Sequence, residues 1–107
     1  METPQEATMI ARIRIVGIRP GTLEEYRGVS RDWRNLLQEH GGRVLGFYVD
    51  DPGTTVIGIA EYESRERLEE IQSRCEADPA FPGIRRRADA LMTSFEEKVL
   101  DKLELDA

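Results

Sequence analysis

The sequence predicts an α+β fold whose elements follow the order β-α-β-β-α-β, with four strands in one antiparallel sheet. Three observations carry this prediction: polar and apolar residues alternate in "MIARIRIVGI", apolar residues recur every three or four positions over 23–37, and two strand-like runs flank the turn sequence "DPG" at 51–53. The 107 residues are enough for one hydrophobic core and too few for two. We therefore expect a single domain over residues 8–107, after a frayed polar segment at residues 1–7.

The first strand ends at Pro20-Gly21, because proline removes a backbone donor and glycine permits a turn. Thr22 and Glu25 have the spacing of a capping box, which predicts that a helix begins there. The apolar stripe of this helix consists of Leu23, Tyr26, Val29, Trp33, Leu36 and Leu37. We expect the stripe to pack on the sheet and Gly41 to end the helix.

Two runs, "RVLGFYVD" and "TTVIGIAEY", predict an antiparallel hairpin. Strict alternation assigns Leu45, Phe47 and Val49 to one face of the first run, and Val44, Gly46 and Tyr48 to the other. The second run likewise separates Ile57 and Ile59 from Val56, Ala60 and Tyr62. Both faces of the hairpin are therefore largely apolar.

The rest of the chain predicts a helix capped by Ser64 and broken at Asp78-Pro79, then a further short helix from Phe81. We assign "TSFEEKVLDKLEL" to the last strand, although its pattern also fits a helix. The resulting order is the ferredoxin-like arrangement, in which both helices lie on one face of the sheet. Since the helices leave the second apolar face uncovered, we expect a second copy to cover it, giving a homodimer packed sheet against sheet.

Composition excludes several classes of partner and site. The net charge is −6 with both signs interspersed, which argues against nucleic acid. No apolar run approaches the roughly 20 residues of a membrane span, and "METPQEAT" lacks the features of a signal peptide, so we expect a cytoplasmic protein without a membrane partner. Cys75 and His40 are single residues of their types, so we expect neither an internal disulfide nor a metal site. No motif indicates a cofactor, and we expect none.

Several short segments together resemble the NIPSNAP family of the dimeric α/β-barrel superfamily. They are Arg14 in the first strand, Pro20-Gly21 before "LEEY", "EHGGRVLGFY", "EYES" and "ADPAF", in this order over nearly the whole chain after Thr8. The resemblance implies a ferredoxin-like monomer whose sheet pairs with that of a second copy to form a barrel with an interior cavity. It does not imply a known reaction.

The sequence departs from this family at two positions. The family often has an aromatic residue where this chain has Val16, and a tryptophan where it has Ala60. Val16 shares a face with Arg14, and Ala60 shares a face with Tyr62. If these faces line the cavity, the loss of two large rings leaves it roomier and more aliphatic.

Arg12, Arg14, Tyr48 and Tyr62 are the candidate ligand-binding residues. The two arginines lie on one face of the first strand, and two enclosed guanidiniums need carboxylates or an anionic ligand. The alternative is structural ion pairing with Glu61, Glu96 or Glu97. The tyrosines offer stacking surfaces with a polar hydroxyl, whereas we expect Trp33 in the core.

The catalytic candidates are His40, Glu61 and Glu96. Histidine is a possible general base near neutral pH, but His40 also fits a role at the carboxyl end of the first helix. Three functions remain open. The first is a homodimeric barrel that binds, and in one reading transforms, a small apolar or aromatic organic acid in its lumen. The second is a cofactor-free monooxygenase resembling the antibiotic-biosynthesis monooxygenases, and the third is a non-catalytic protein-interaction module.

Overall fold

A computed structural model describes residues 8–105 of the chain. The elements are β1 (Ile10–Ile18), α1 (Leu23–Glu39), β2 (Arg43–Val49), β3 (Thr55–Tyr62), α2 (Arg65–Ala77), α3 (Phe81–Leu91) and β4 (Met92–Asp101). This order confirms the predicted β-α-β-β-α-β arrangement, including the short additional helix before the last strand. The segment predicted to be frayed, residues 1–7, lies outside the described residues.

The four strands form one antiparallel sheet in the order β2-β3-β1-β4, which is ferredoxin-like, as predicted. Burial alternates along β1, where Ile10, Val16 and Ile18 point toward the helices and are at most 5% exposed. The core between sheet and helices consists of these side chains with Tyr26, Val29, Leu36, Leu37, Val56, Ala60, Tyr62, Ile71, Cys75 and Ile84. All three helices therefore cover the same face of the sheet.

The opposite face, turned away from the helices, is here called the outer face. Its centre carries Ile13 and Ile15 of β1 with Ile57 and Ile59 of β3, and its margins carry Tyr48 of β2 and Glu96, Lys98 and Leu100 of β4. The isoleucines pair across the strands, Ile13 with Ile59 and Ile15 with Ile57. The centre of the outer face is therefore an apolar patch, as the sequence predicted.

Strand β2 corrects the predicted alternation. Its register against β3 shifts between Val44 and Gly46, which is the mark of a β-bulge at Leu45. The extra residue brings Val44 and Phe47 to the same face, and both pack against the core. The expectation that Val44 shares a face with Gly46 and Tyr48, opposite Phe47, was therefore wrong, because strict alternation assumes a regular strand.

The helix starts were predicted with mixed success. Ser64 Oγ accepts a hydrogen bond from the Arg67 amide at 3.0 Å, so the predicted cap of α2 is confirmed. Thr22 makes no such cap: its backbone, at φ −110° and ψ 15°, lies outside the extended region usual for an N-cap residue, and its hydroxyl donates to the carbonyl of Arg19 at 2.7 Å. The capping box expected at Thr22 and Glu25 was wrong.

The remaining boundaries follow the turn chemistry. Gly41 has φ +98° directly after α1, the left-handed conformation expected of a helix-ending glycine. The last strand begins one residue before the predicted segment and ends at Asp101, so its helical alternative is excluded over Met92–Asp101. No helix within residues 8–105 is long and apolar enough to cross a membrane.

Candidate functional site

A cavity of about 370 Å³ lies between the sheet and the helices of a single chain. Its sheet wall includes Arg12, Arg14 and Val16 of β1 with Gly58 and Ala60 of β3. These residues share one face because Arg12 pairs with Ala60, and Arg14 with Gly58, in the antiparallel register. The two positions that depart from the family pattern, Val16 and Ala60, therefore both line this cavity.

Arg12 is held inside the protein by neutral and charged partners. Its side chain is 4% exposed, with Nη1 donating to Gln72 Oε1 at 2.6 Å and Nη2 donating to the Tyr62 hydroxyl at 2.8 Å. Burial lowers the pKa of Arg12, and the neighbouring Arg14 lowers it further. Burial also raises the pKa of Tyr62, so this phenol remains protonated at neutral pH. Arg12 is therefore held in a buried polar network by its hydrogen bonds to Gln72 and Tyr62.

Arg14 makes fewer hydrogen bonds than Arg12. Its Nε donates to Glu97 Oε2 at 3.0 Å, and its guanidinium lies over the Trp33 ring, 4.7 Å from the ring centroid. Among residues 8–105, no group accepts a hydrogen bond from its two terminal nitrogens. Arg12 Nε lies 3.7 Å from the same Glu97 oxygen, so two guanidiniums share one carboxylate. Glu97 was one of the three ion-pair partners proposed from the sequence.

The helix wall opposite the arginines is mostly apolar but includes two hydroxyl groups. Tyr26 and Ser30 lie one turn apart on α1, and Trp33 continues the same face of the helix. Ser30 is 9% exposed, and its Oγ has no hydrogen-bond partner among the described residues. Burial raises the pKa of Tyr26, which keeps its phenol protonated at neutral pH. The cavity therefore combines apolar walls with a cationic group and hydroxyl groups.

The other candidates from the sequence lie away from this cavity. Tyr48 is 60% exposed on the outer face. Glu61 also lies on the outer face and approaches Arg43 at 3.8 Å, while Glu96 approaches Lys98 at 3.8 Å. Tyr62 lies behind the cavity wall, where it bonds Arg12. Of the seven candidates, the structure brings only Arg12, Arg14 and Tyr62 together.

His40 lies at the end of α1 and is not among the residues that line the cavity. Its Nε2 donates to Asp78 Oδ2 at 2.8 Å, while Asp78 Oδ1 accepts from the Ala80 amide at 2.8 Å. These two bonds lower the pKa of Asp78, with the amide bond the larger cause. Glu39, His40 and Asp78 each offer one potential metal-ligand atom, and these three atoms lie within 4.8 Å of one another. This is the one such group of three among the described residues. The His40–Asp78 hydrogen bond accounts for this grouping structurally, because it links the end of α1 to the connection between α2 and α3.

The family of the chain follows from its match to a model of the NIPSNAP family, which covers residues 11–105. The chain belongs to the NIPSNAP family. The resemblance inferred from the short sequence segments is thereby confirmed. No curated protein matches this NIPSNAP chain.

Solved structures share the fold at low sequence identity. A NIPSNAP family protein from Agrobacterium tumefaciens is 24% identical, with a TM-score of 0.82 over 98% of this chain and 95% of its own. A NIPSNAP-like domain protein from Burkholderia xenovorans is 22% identical, with a TM-score of 0.80 over 94% and 90%. SnoaB, a cofactor-independent oxygenase from Streptomyces nogalater, is 15% identical, with a TM-score of 0.70 over 92% and 97%. The fold of this chain is therefore shared by two NIPSNAP proteins and by SnoaB, which is an oxygenase.

The sequence did not identify Tyr26, Ser30 or Gln72 as site residues of this NIPSNAP chain. In the sequence, Tyr26 belongs to the apolar stripe of α1, and Ser30 and Gln72 have no feature that distinguishes them from other polar residues of helices. A signal for Ser30 was present, because it lies one turn after Tyr26 and one turn before Trp33. A hydroxyl at that spacing lies on the face of the helix that packs against the sheet.

Proposed function

We propose that this NIPSNAP protein binds a small apolar or aromatic carboxylic acid in the cavity between its sheet and its helices. The single observation that supports this most is Arg14, whose terminal nitrogens have no partner among residues 8–105 although the side chain is only 22% exposed. A guanidinium offers two parallel donors that match the two oxygens of a carboxylate. The apolar walls supply the surface for the remainder of the ligand.

The local charge supports an anionic ligand. Arg12 and Arg14 share the single carboxylate of Glu97, while Glu76, the other acidic residue that lines the cavity, accepts a hydrogen bond from Gln72. Partial enclosure makes an unbalanced cation costly, since the cavity solvates charge less well than water does. A ligand carboxylate beside Arg14 offsets that cost.

The volume supports a small ligand. At about 370 Å³ the cavity is near the lower end of the roughly 300–1,000 Å³ that is usual for small-molecule sites. The sequence suggested a lumen between two sheets, whereas this cavity lies on the helix side of one sheet. We therefore place the proposed site within each chain.

A thermal-shift titration followed by calorimetry tests the proposal. We expect 2-naphthoate to raise the melting temperature and its uncharged amide to leave it unchanged, because only the acid pairs with Arg14. Arg14→Met removes the charge at similar length and should abolish the shift. Arg31→Met, at an exposed arginine of α1, is the matched control and should retain it. If no member of a panel of apolar and aromatic acids stabilises the protein, the proposed function is wrong.

A second candidate function is cofactor-free oxygenation, supported by the structural likeness to SnoaB. Such chemistry needs a substrate that forms its own carbanion and a base that removes the proton. His40, Glu61 and Glu96 lie away from the cavity, and the two carboxylates that line it are Glu76 and Glu97. Glu97 is the one that contacts Arg14, so it is the candidate base. Oxygen uptake with a carbon acid that binds the cavity, present in the parent protein and lost in Glu97→Gln, is the expected result for this candidate. Binding without oxygen uptake leaves the binding function alone.

The outer face supports the homodimer expected from the sequence. Its central isoleucines are only partly exposed in a single chain, and Leu100 and Tyr48 at its margins are 46% and 60% exposed. An apolar sheet face of this kind is normally covered, and a second copy covers it through a self-complementary two-fold contact. The proposed dimer and the proposed ligand site thus use opposite faces of the same strands.

A further inference from the structure

We infer that Ser30 and Tyr26 form a second polar subsite in the cavity, so that the ligand is a carboxylic acid that also carries a hydroxyl or carbonyl oxygen. This inference rests on the proposed function, because it takes the carboxylate to lie at Arg14. It adds a specificity that Arg14 alone does not provide. An acid with a purely hydrocarbon body leaves this subsite unpaired.

Ser30 is the strongest element of the subsite. Ser30 lies in the middle of α1 and is one of the residues that line the cavity, and its Oγ is buried. Buried hydroxyl groups nearly always have a hydrogen-bond partner, since leaving one unpaired costs free energy. A serine inside a helix commonly bonds the carbonyl one turn earlier, but Ser30 Oγ has no partner among residues 8–105.

Tyr26 supplies the second hydroxyl on the same wall. It precedes Ser30 by four residues, so the two side chains are neighbours on the helix surface. No described group bonds its phenol, and its position in the cavity wall keeps the residue 9% exposed. Because burial raises its pKa, the phenol is a donor at neutral pH. A ligand oxygen against this wall can accept from Tyr26, and it reaches the buried Ser30 Oγ once the adjoining side chains shift slightly.

Trp33 relates the two subsites to each other. Its ring supports the Arg14 guanidinium from one side, and Ser30 lies one turn earlier on the same helix. Neighbouring side chains at this spacing have Cβ atoms roughly 5–6 Å apart. The carboxylate and the second oxygen of the ligand are thus expected on the same side of a compact apolar body, such as a hydroxylated or oxo-substituted bicyclic acid.

Calorimetric titration with matched probes tests the subsite. The probes are 2-naphthoate and its 3-, 6- and 8-hydroxy derivatives, which keep the carboxylate and move one added oxygen. We expect one of the hydroxy acids to bind the parent protein roughly 3- to 10-fold more tightly than 2-naphthoate, the gain typical of one hydrogen bond. Ser30→Ala should remove that preference, so that the ratio of the two affinities, measured within the same variant, falls to about 1. Ser73→Ala, at an exposed serine of α2, should keep it.

The thermal stability of Ser30→Ala provides a second measurement. Removing a buried hydroxyl that has no partner should leave the melting temperature unchanged or raise it, whereas removing a hydroxyl with a hidden structural partner should lower it. If 2-naphthoate binds but no hydroxy acid binds more tightly, the subsite is refuted and the proposed function stands. If no acid binds at all, both are refuted. A preference that survives in both Ser30→Ala and Tyr26→Phe refutes the assignment of these two residues.

Discussion

The guanidinium of Arg14 lies over the ring of Trp33, with its Cζ 4.7 Å from the ring centroid. This contact fixes a cation from the sheet against an aromatic ring from α1, across one end of the cavity. The ring attracts the cation through its quadrupole, while Nε donates to Glu97 and the two terminal nitrogens have no acceptor among residues 8–105. Arg14 is therefore positioned before any ligand arrives.

A double-mutant cycle measures the Arg14–Trp33 contact. Arg14→Met and Trp33→Leu are each expected to reduce the free energy of unfolding, and the double variant to lose less than their sum. The coupling should be about 0.5–1 kcal/mol, as for a partly exposed cation–π pair. Urea unfolding followed by circular dichroism gives the four values. Strictly additive losses would show that the contact contributes nothing.

Two glycines should respond to alanine in opposite directions. A Cβ on Gly58 would lie 2.8 Å from Cε2 of Phe47, so Gly58→Ala forces the ring to shift at the cavity wall. We expect a loss of about 1–3 kcal/mol in the free energy of unfolding. Gly28 lies inside α1 with open space around it, so Gly28→Ala should gain roughly 0.5–1 kcal/mol. Denaturant titration of both variants checks the prediction, and equal effects would contradict the packing described at Gly58.

Ile57 tests the outer face. Ile57→Lys places a charge at the centre of the apolar patch and should convert a dimer to a monomer, because like charges would meet across the two-fold contact. Val49→Lys is the matched control, since Val49 is 49% exposed and pairs with Val56 on the helix side. Sedimentation equilibrium at micromolar concentration measures the mass of each. A monomeric parent protein would refute the dimer.

Asp78 should make stability depend on pH in the acid range. Its pKa is lowered in the folded protein, so its contribution is fully present above the unfolded pKa and is lost as pH falls through the folded value. Asp78→Asn should therefore reduce the melting temperature at pH 7 and have a diminishing effect below about pH 4. Thermal unfolding from pH 7 to pH 2 gives the comparison, with the exposed Asp51→Asn as control. A difference that stays constant over this range would contradict the role of the carboxylate.

The order of elements could be predicted because each has a local cause. Alternation marks β1, the apolar stripe marks α1, and Ser64 and Gly41 mark ends that depend on residues only a few positions away. Thr22 does not cap α1, because its backbone, at φ −110° and ψ 15°, is not in the extended region that an N-cap residue normally adopts. The spacing of Thr22 and Glu25 does not determine that conformation.

The site was only partly predictable, since its geometry depends on long-range pairing. Arg12 and Arg14 could be placed on one face by alternation, but their shared contact with Glu97 depends on the register of β1 against β4. The bulge at Leu45 reassigns the faces of β2 without a glycine or proline at the bulged position to signal it. That Ser30 Oγ has no hydrogen-bond partner among the described residues can be recognised only from the residues that pack against α1.

Successive residues of β1 alternate between the cavity and the outer face of the sheet. Arg12 and Arg14 point into the cavity, while Ile13 and Ile15 point to the outer face. Inserting or deleting a single residue in this strand would move the arginines onto the apolar patch and the isoleucines into the polar network. A single inserted residue in β1 is therefore expected to damage both surfaces at once unless a β-bulge absorbs it, as one does at Leu45 of β2.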